Sequence, residues 1–344
     1  MEHRVHGLDG LRAVAVSLVL LAHSADMRGV PETLSVLVGA LKCGNLGVRL
    51  FFCISGFIIT HLLLREESKN GRISLKFFWL RRTLRILPPL FGFLCVMLVV
   101  AKFAPGIEIT AREFFPALTF TIGLWGGGSW WLGHTWSLAI EEQFYLLWPL
   151  LFLFWTTTNR LRNLLLVSAF AIAILIIVTL VTVNAWYLSQ SLFPLNFIYL
   201  AAGCTLALLR QKNHPLLAQF AQNSELKRIV IGLVIMAVAR LMMTNSAIPF
   251  ALINSIEAMG LIVLIQVAIE SKSWIARLLA WRPMVLLGGI SYSLYLWQQL
   301  FLGKFGQSWW QQLPQGLLFA LLCAVLSYWL LERPFFALRD RLKP

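Results

Sequence analysis

Charge is scarce in this chain: 13% of its 344 residues are Asp, Glu, Lys or Arg, against roughly a quarter in ordinary soluble domains. With 59% hydrophobic residues and a mean hydropathy of +0.76, that scarcity excludes a soluble globular domain. Cysteine is sparse too. Cys43, Cys53, Cys95, Cys204 and Cys323 show no metal-type spacing, and Cys43 is the one expected in an external loop, so neither a metal site nor a disulfide framework is expected. Internal repeats, low-complexity linkers and loops long enough to hold a soluble domain are all missing. The first apolar segment contains Asp9, Arg12 and His23 and lacks a small-residue cleavage site, so no removable leader is expected.

What the chain does have is apolar runs. A helix needs about 20 apolar residues to cross a hydrocarbon core of roughly 30 Å. Ten runs approach that length, near residues 8–27, 46–64, 84–104, 136–155, 163–183, 191–210, 229–243, 249–269, 284–303 and 314–332. The expected fold is an all-α, polytopic integral membrane helical bundle of about ten transmembrane helices, forming one membrane domain over residues 1–344. On that topology 22 of the 29 Lys and Arg fall on the side that carries both termini, which the positive-inside rule makes cytoplasmic. The net charge of +14 then reflects cations at the ends of apolar spans. Membrane lipids, not nucleic acid, are the polyanionic partner this implies.

Against the apolar background the ionisable groups stand out, because burying one in a bilayer is costly. His23 lies about 6 Å below the outer end of the first span and Glu141 about 7 Å below the outer end of the fourth, at 1.5 Å per residue. The two share a depth, so on neighbouring helices a carboxylate could fix the tautomer of the imidazole and raise its basicity, as a general base requires. The plain alternative is a histidine that only hydrogen-bonds between helices. Arg12 is eleven residues before His23, on nearly the same helix face, and can either pair locally with Asp9 or line a channel. Arg82 and Arg85 are three apart at the cytoplasmic entry to the third span and could hold phosphates through forked hydrogen bonds. About 22 Å of helix separates the cytoplasmic edge from His23, a length that suits coenzyme A. Ser55 and Gly56 permit close helix approach or passage of a slim ligand. The stretch Ser291 to Gln298, with Tyr292 and Tyr295, could line an acceptor pocket or make interfacial hydrogen bonds. Glu257 and Arg240 are expected to pair, His134 is read as loop, and His61 receives no role.

The segments Leu8-Asp9-Gly10-Leu11-Arg12-Ala13 with His23, Phe51 to Phe57, Arg81-Arg82-Thr83-Leu84-Arg85, Trp136 to Tyr145, Ser291 to Trp297 and Leu331-Glu332-Arg333-Pro334-Phe335 resemble, in order, the acyltransferase type 3 family of integral membrane acyltransferases. The resemblance implies catalytic roles for His23 and Glu141. It also implies that Arg12 matches the family's helix 1 arginine and that Arg82 and Arg85 match its paired arginines linked to acyl-CoA. Arg12 and Ser55 are taken as further candidates for acyl-CoA contact, and Trp136, Tyr292 and Tyr295 as candidates for acceptor contact. The implied reaction is transfer of an acyl group, acetyl in the first instance, from acetyl-CoA or another acyl-CoA to a hydroxyl of an extracytoplasmic carbohydrate or glycolipid. Cell-envelope polysaccharide and lipopolysaccharide are acceptors of that kind, and no metal is needed. A multi-pass place in a bacterial inner membrane follows. A proton-coupled transporter using His23 and Glu141 as a relay is the rival reading. Two departures from the family pattern are Arg49, where an acidic residue is usual, and Gln298, where a histidine is usual. Both are expected outside the reacting core.

Overall fold

The computed structural model describes residues 6–125, 129–181, 193–243, 248–270, 273–306 and 308–341. Glycines 126–128 of the tryptophan-rich loop and the far ends of the expected spans at 163–183 and 191–210 lie outside them. Among the described residues there is no β-strand. A helix satisfies its own backbone polar groups, which is what an apolar surrounding demands. In chain order the α-helices are α1 (His6–Ala25), α2 (Glu32–Ala40), α3 (Cys43–Asn70), α4 (Leu75–Phe103), α5 (Ala111–Leu118), α6 (Trp130–Gly133), α7 (Thr135–Phe154), α8 (Arg160–Val181) and α9 (Phe193–Gln211). They continue as α10 (Pro215–Ala221), α11 (Glu225–Met242), α12 (Phe250–Ala268), α13 (Trp274–Leu279), α14 (Arg282–Gly289), α15 (Ser291–Phe301), α16 (Gln315–Ser327) and α17 (Arg333–Arg341).

Among the described residues, eight helical stretches are by themselves long and apolar enough to cross a membrane, beside the ten or so runs expected. The expected span at 229–243 falls in α11, whose 18 residues include Glu225, Lys227, Arg228 and Arg240. The one at 284–303 is broken at Ile290 into α14 and α15. At 11 residues, α15 is only about 16 Å long.

The chain divides into two compact units. The first comprises Met1–Arg12, Arg49–Ile73 and Leu146–Val285. Small residues set its helix contacts. A Cβ on Gly56 of α3 would fall 2.0 Å from the carbonyl oxygen of Leu200, and one on Gly203 of α9 would fall 2.0 Å from that of Cys53. These helices therefore touch backbone to backbone, and Gly56 serves close packing. Charged groups inside this unit are paired. Arg160 holds Glu67 with two bonds of 2.6 and 2.8 Å and also donates to the carbonyl of Phe152.

At the centre of a second cluster, the side chain of Glu257 is fully buried. One carboxylate oxygen lies 2.6 Å from Arg240, as the sequence suggested. The other accepts from Tyr199 at 2.7 Å and from Arg49. The unusual Arg49 is thus half of an Arg–Glu–Arg arrangement in which one carboxylate serves two guanidinium groups. Removing one member of a buried ion pair strands the rest, at a cost of about 3–5 kcal/mol. Glu257→Ala should therefore lower the folding stability of the purified protein by about that much, read as a fall in melting temperature or a loss of monodisperse protein. Glu257→Asp, which keeps the charge, should lose less.

The second unit comprises Ala13–Val48, Ser74–Tyr145 and Leu286–Pro344. Its axis is α15, buried at every residue except Tyr292. Tyr292 donates to the carbonyl of Ile86 on α4 at 2.9 Å. Ser293 is 2.8 Å from Ser327 on α16 and donates at 2.5 Å to Glu332, which is 1% exposed. Glu332 ends a π-helical turn, Tyr328–Glu332, inserted between α16 and α17. Pro88 and Pro89 interrupt α4. Lacking N–H groups, they leave the carbonyls of Leu84 and Arg85 without their helical donors.

Candidate functional site

Most of the residues singled out from sequence fall in the second unit. His23 stands in the last turn of α1, half-buried. Its Nδ1 is 2.6 Å from Oε1 of Gln298. An amide oxygen only accepts, so in the neutral ring Nδ1 carries the proton and Nε2 keeps its lone pair. Gln298 is completely buried on α15. The partner of His23 is therefore an amide, and Gln298, expected outside the reacting core, is in direct contact with His23.

The other wall of His23 is Trp130, edge-on with ring centres 5.1 Å apart. Trp130 Nε1 donates to the carbonyl of Gln299 at 3.1 Å, and the Gln299 amide donates back to the carbonyl of Trp130. Gly303 makes room for this ring. Its φ is +122°, and a Cβ there would fall 2.2 Å from Cζ2 of Trp130. The segment leading into Trp130 is fastened by Glu113 of α5. Its carboxylate accepts from the backbone N–H of Ser129 at 2.6 Å, and from the N–H and hydroxyl of Thr110 at 2.9 and 3.1 Å.

Glu141 on α7 accepts from the hydroxyl of Tyr145 at 2.9 Å. The guanidinium of Arg82 lies 5.7 Å from the centre of the same tyrosine ring, and Trp79 Nε1 donates to the backbone oxygen of Tyr145 at 3.0 Å. Tyr145 thus connects the expected carboxylate to the expected cation. Arg82 and Arg85 are both half-buried on α4. Trp136 is half-buried on α7. Tyr295 has its hydroxyl 2.7 Å from that of Ser137 and donates to the carbonyl of His134 at 3.1 Å, so it braces α15 against the start of α7. Arg12 and Ser55 belong to the first unit. There Arg12 pairs with Asp9 at 3.6 Å, and Ser55 sits half-buried next to Gly56.

Two residues passed over in the sequence are built into this region. Gln298 is one. The other is His134, which lies in the turn between α6 and α7, as expected, but is only 5% exposed, with Nε2 3.1 Å from the carbonyl of Leu296. No group of three or more His, Cys, Asp or Glu positioned to hold a metal ion occurs among the described residues.

The Glu113 contact gives a pH dependence with a definite sign. Burial alone would push this carboxyl up, but the N–H groups of Thr110 and Ser129 and the Thr110 hydroxyl hold it below the usual range. A depressed pKa contributes stability above the unfolded value, about 4.3, that is lost as pH falls through the folded value. Glu113→Gln should cost about 1 kcal/mol at pH 7, the worth of an ordinary hydrogen bond. The gap in melting temperature between wild type and variant should close as pH is lowered past 4.

Residues 5–333 match a family described as the acyltransferase domain. The chain is 29% identical over 326 residues to the O-acetyltransferase OatA of Staphylococcus aureus strain NCTC 8325, covering 85% of this chain and 49% of that protein. It is 28% identical over 323 residues to the peptidoglycan O-acetyltransferase OatA of Listeria monocytogenes, covering 85% and 48%. The chain therefore spans about half the length of these curated relatives. No solved structure matches it.

Proposed function

This chain belongs to the acyltransferase domain family, and from that premise we propose that it transfers an acyl group, acetyl in the first instance, from acetyl-CoA or another acyl-CoA in the cytoplasm to a hydroxyl of an extracytoplasmic glycan or glycolipid. The observation that carries the reading is the state of His23: Nδ1 is engaged by Gln298, which leaves Nε2 as a base at the end of the apolar run of α1. His23 takes the proton of the acceptor hydroxyl as that oxygen bonds to the thioester carbonyl carbon. The carbon–sulfur bond breaks, and the proton leaves with the thiolate as free CoA. Gln298 positions His23 by holding its tautomer. Glu141 acts through Tyr145 and tunes the field around Arg82. Arg82 and Arg85 hold the donor phosphates. Trp136, Tyr292 and Tyr295 shape the acceptor side.

The names of the two relatives favour a cell-wall glycan as acceptor. Both termini in the cytoplasm, and a multi-pass place in the bacterial inner membrane, agree with the Lys and Arg distribution. The test is free-thiol release from acetyl-CoA by the purified protein in lipid nanodiscs, with an N-acetylglucosamine oligosaccharide as acceptor. His23→Ala should bind acetyl-CoA and lose turnover by at least a hundredfold, within the range for loss of a general base. Gln298→Leu, close in volume but unable to hold the ring, should lose about tenfold, and Glu141→Gln should fall between them. Turnover by His23→Ala at the wild-type rate would sink the reading.

A further inference from the structure

His134 carries an exception that the rest of its surroundings does not explain. Its Nε2 is spent on the carbonyl of Leu296. A carbonyl only accepts, so Nε2 bears the proton and Nδ1 of the neutral ring is a bare acceptor. That Nδ1 is buried and has no hydrogen-bond partner. Buried polar atoms are almost always paired, and leaving one unpaired is costly. The ring is not free to turn and find a partner. Phe93 stands edge-on to it at 5.5 Å and Tyr295 at 5.7 Å. Its own backbone carbonyl is also held, by Tyr295 and Ser137.

The neighbourhood is that of His23. The two imidazoles are close enough to interact electrostatically, and both are fixed by α15, one through Leu296 and the other through Gln298. Two further buried polar atoms without partners belong to this same stretch of α15: Nε1 of Trp297 and Nε2 of Gln298. Phe93 touches the Trp297 ring as well, at 5.4 Å. Both of these atoms are donors, whereas His134 Nδ1 is an acceptor. A group that satisfies such a set must both donate and accept, and an alcohol does so. A thioester has no hydrogen to give.

We propose that His134 is a second histidine of the site, whose Nδ1 accepts a hydrogen bond from a hydroxyl of the acyl acceptor while Nε2–H anchors the ring to α15. This rests on the acyl-transfer reading, which it extends by assigning an acceptor-binding residue. His134 contacts the acceptor, and His23 remains the base.

The two ring nitrogens can be tested separately, because a glutamine amide reaches the place of Nε2 and an asparagine amide the place of Nδ1. The measurements use the full chain in lipid nanodiscs: melting temperature, acetyl-CoA binding, binding of an N-acetylglucosamine oligosaccharide, and thiol release. His134→Gln keeps the anchor and loses the acceptor atom. It should melt like wild type, bind acetyl-CoA within twofold, and lose oligosaccharide affinity and kcat/KM by at least tenfold. His134→Asn should melt lower yet bind oligosaccharide better than the glutamine variant. If His134→Gln binds and turns over oligosaccharide like wild type while His134→Asn fails, the residue is only an anchor and the proposal is overturned. An equal loss of acetyl-CoA binding in His134→Gln would overturn it too, by placing Nδ1 on the donor side. If wild type binds oligosaccharide but releases no thiol, the acyl-transfer reading fails, while the binding comparison still decides the role of His134.

Discussion

A polar side chain in an apolar interior must find its partner within the protein, since no water is present to replace one. Helix α15 is built on that constraint. Tyr292, Ser293, Tyr295, Gln298 and Gln299 each spend a side chain on another element. The carbonyls of Leu296 and Leu300 are taken by His134 and Gln311. An 11-residue helix, too short to be held by length, is thereby fixed in rotation and in height by directional bonds. Both histidines of the site inherit their orientation from it. The atoms that escape pairing then acquire meaning, because they stand out against a background in which pairing is the rule.

The unit containing Glu257 meets the same constraint with charge. A single carboxylate is shared by Arg49 and Arg240, with Tyr199 as a further donor, and the cluster is left net positive. Burying ions is rarely a route to stability. What it does supply is register: the helices that carry Arg49, Tyr199, Arg240 and Glu257 can meet at only one height.

The helical class and the membrane setting were legible from sequence, because hydropathy is a property of a single helix. The Glu257–Arg240 pair was also legible, since two opposite charges in apolar spans have few other places to go. Azimuth and tertiary partner were not. The reading paired His23 with a carboxylate because depth matched, whereas the structure gives it the amide of Gln298, a residue whose importance lies in a contact 275 positions away. His134 does lie between helices, as expected, but sequence position does not reveal that it packs against Leu296 and Phe93. Two of the expected runs stand apart from the eight long apolar helices, one where charge interrupts α11 and one where Ile290 separates α14 from α15. The roles of Arg82 and Arg85 toward a phosphate group follow from residue type and spacing alone.

The π-helical turn at Tyr328–Glu332 lies far from His23 in sequence yet bears on how α15 is held. Such a turn fits one more residue into the helix than an α-helical path of the same rise would carry. That surplus sets the rotation of everything after it, bringing Glu332 inward to Ser293 while Arg333 remains exposed. Chain length at this point is therefore an angular variable. Shortening the turn by one residue would swing the following helix by about 100° and remove the carboxylate from α15 without changing any side chain that touches it.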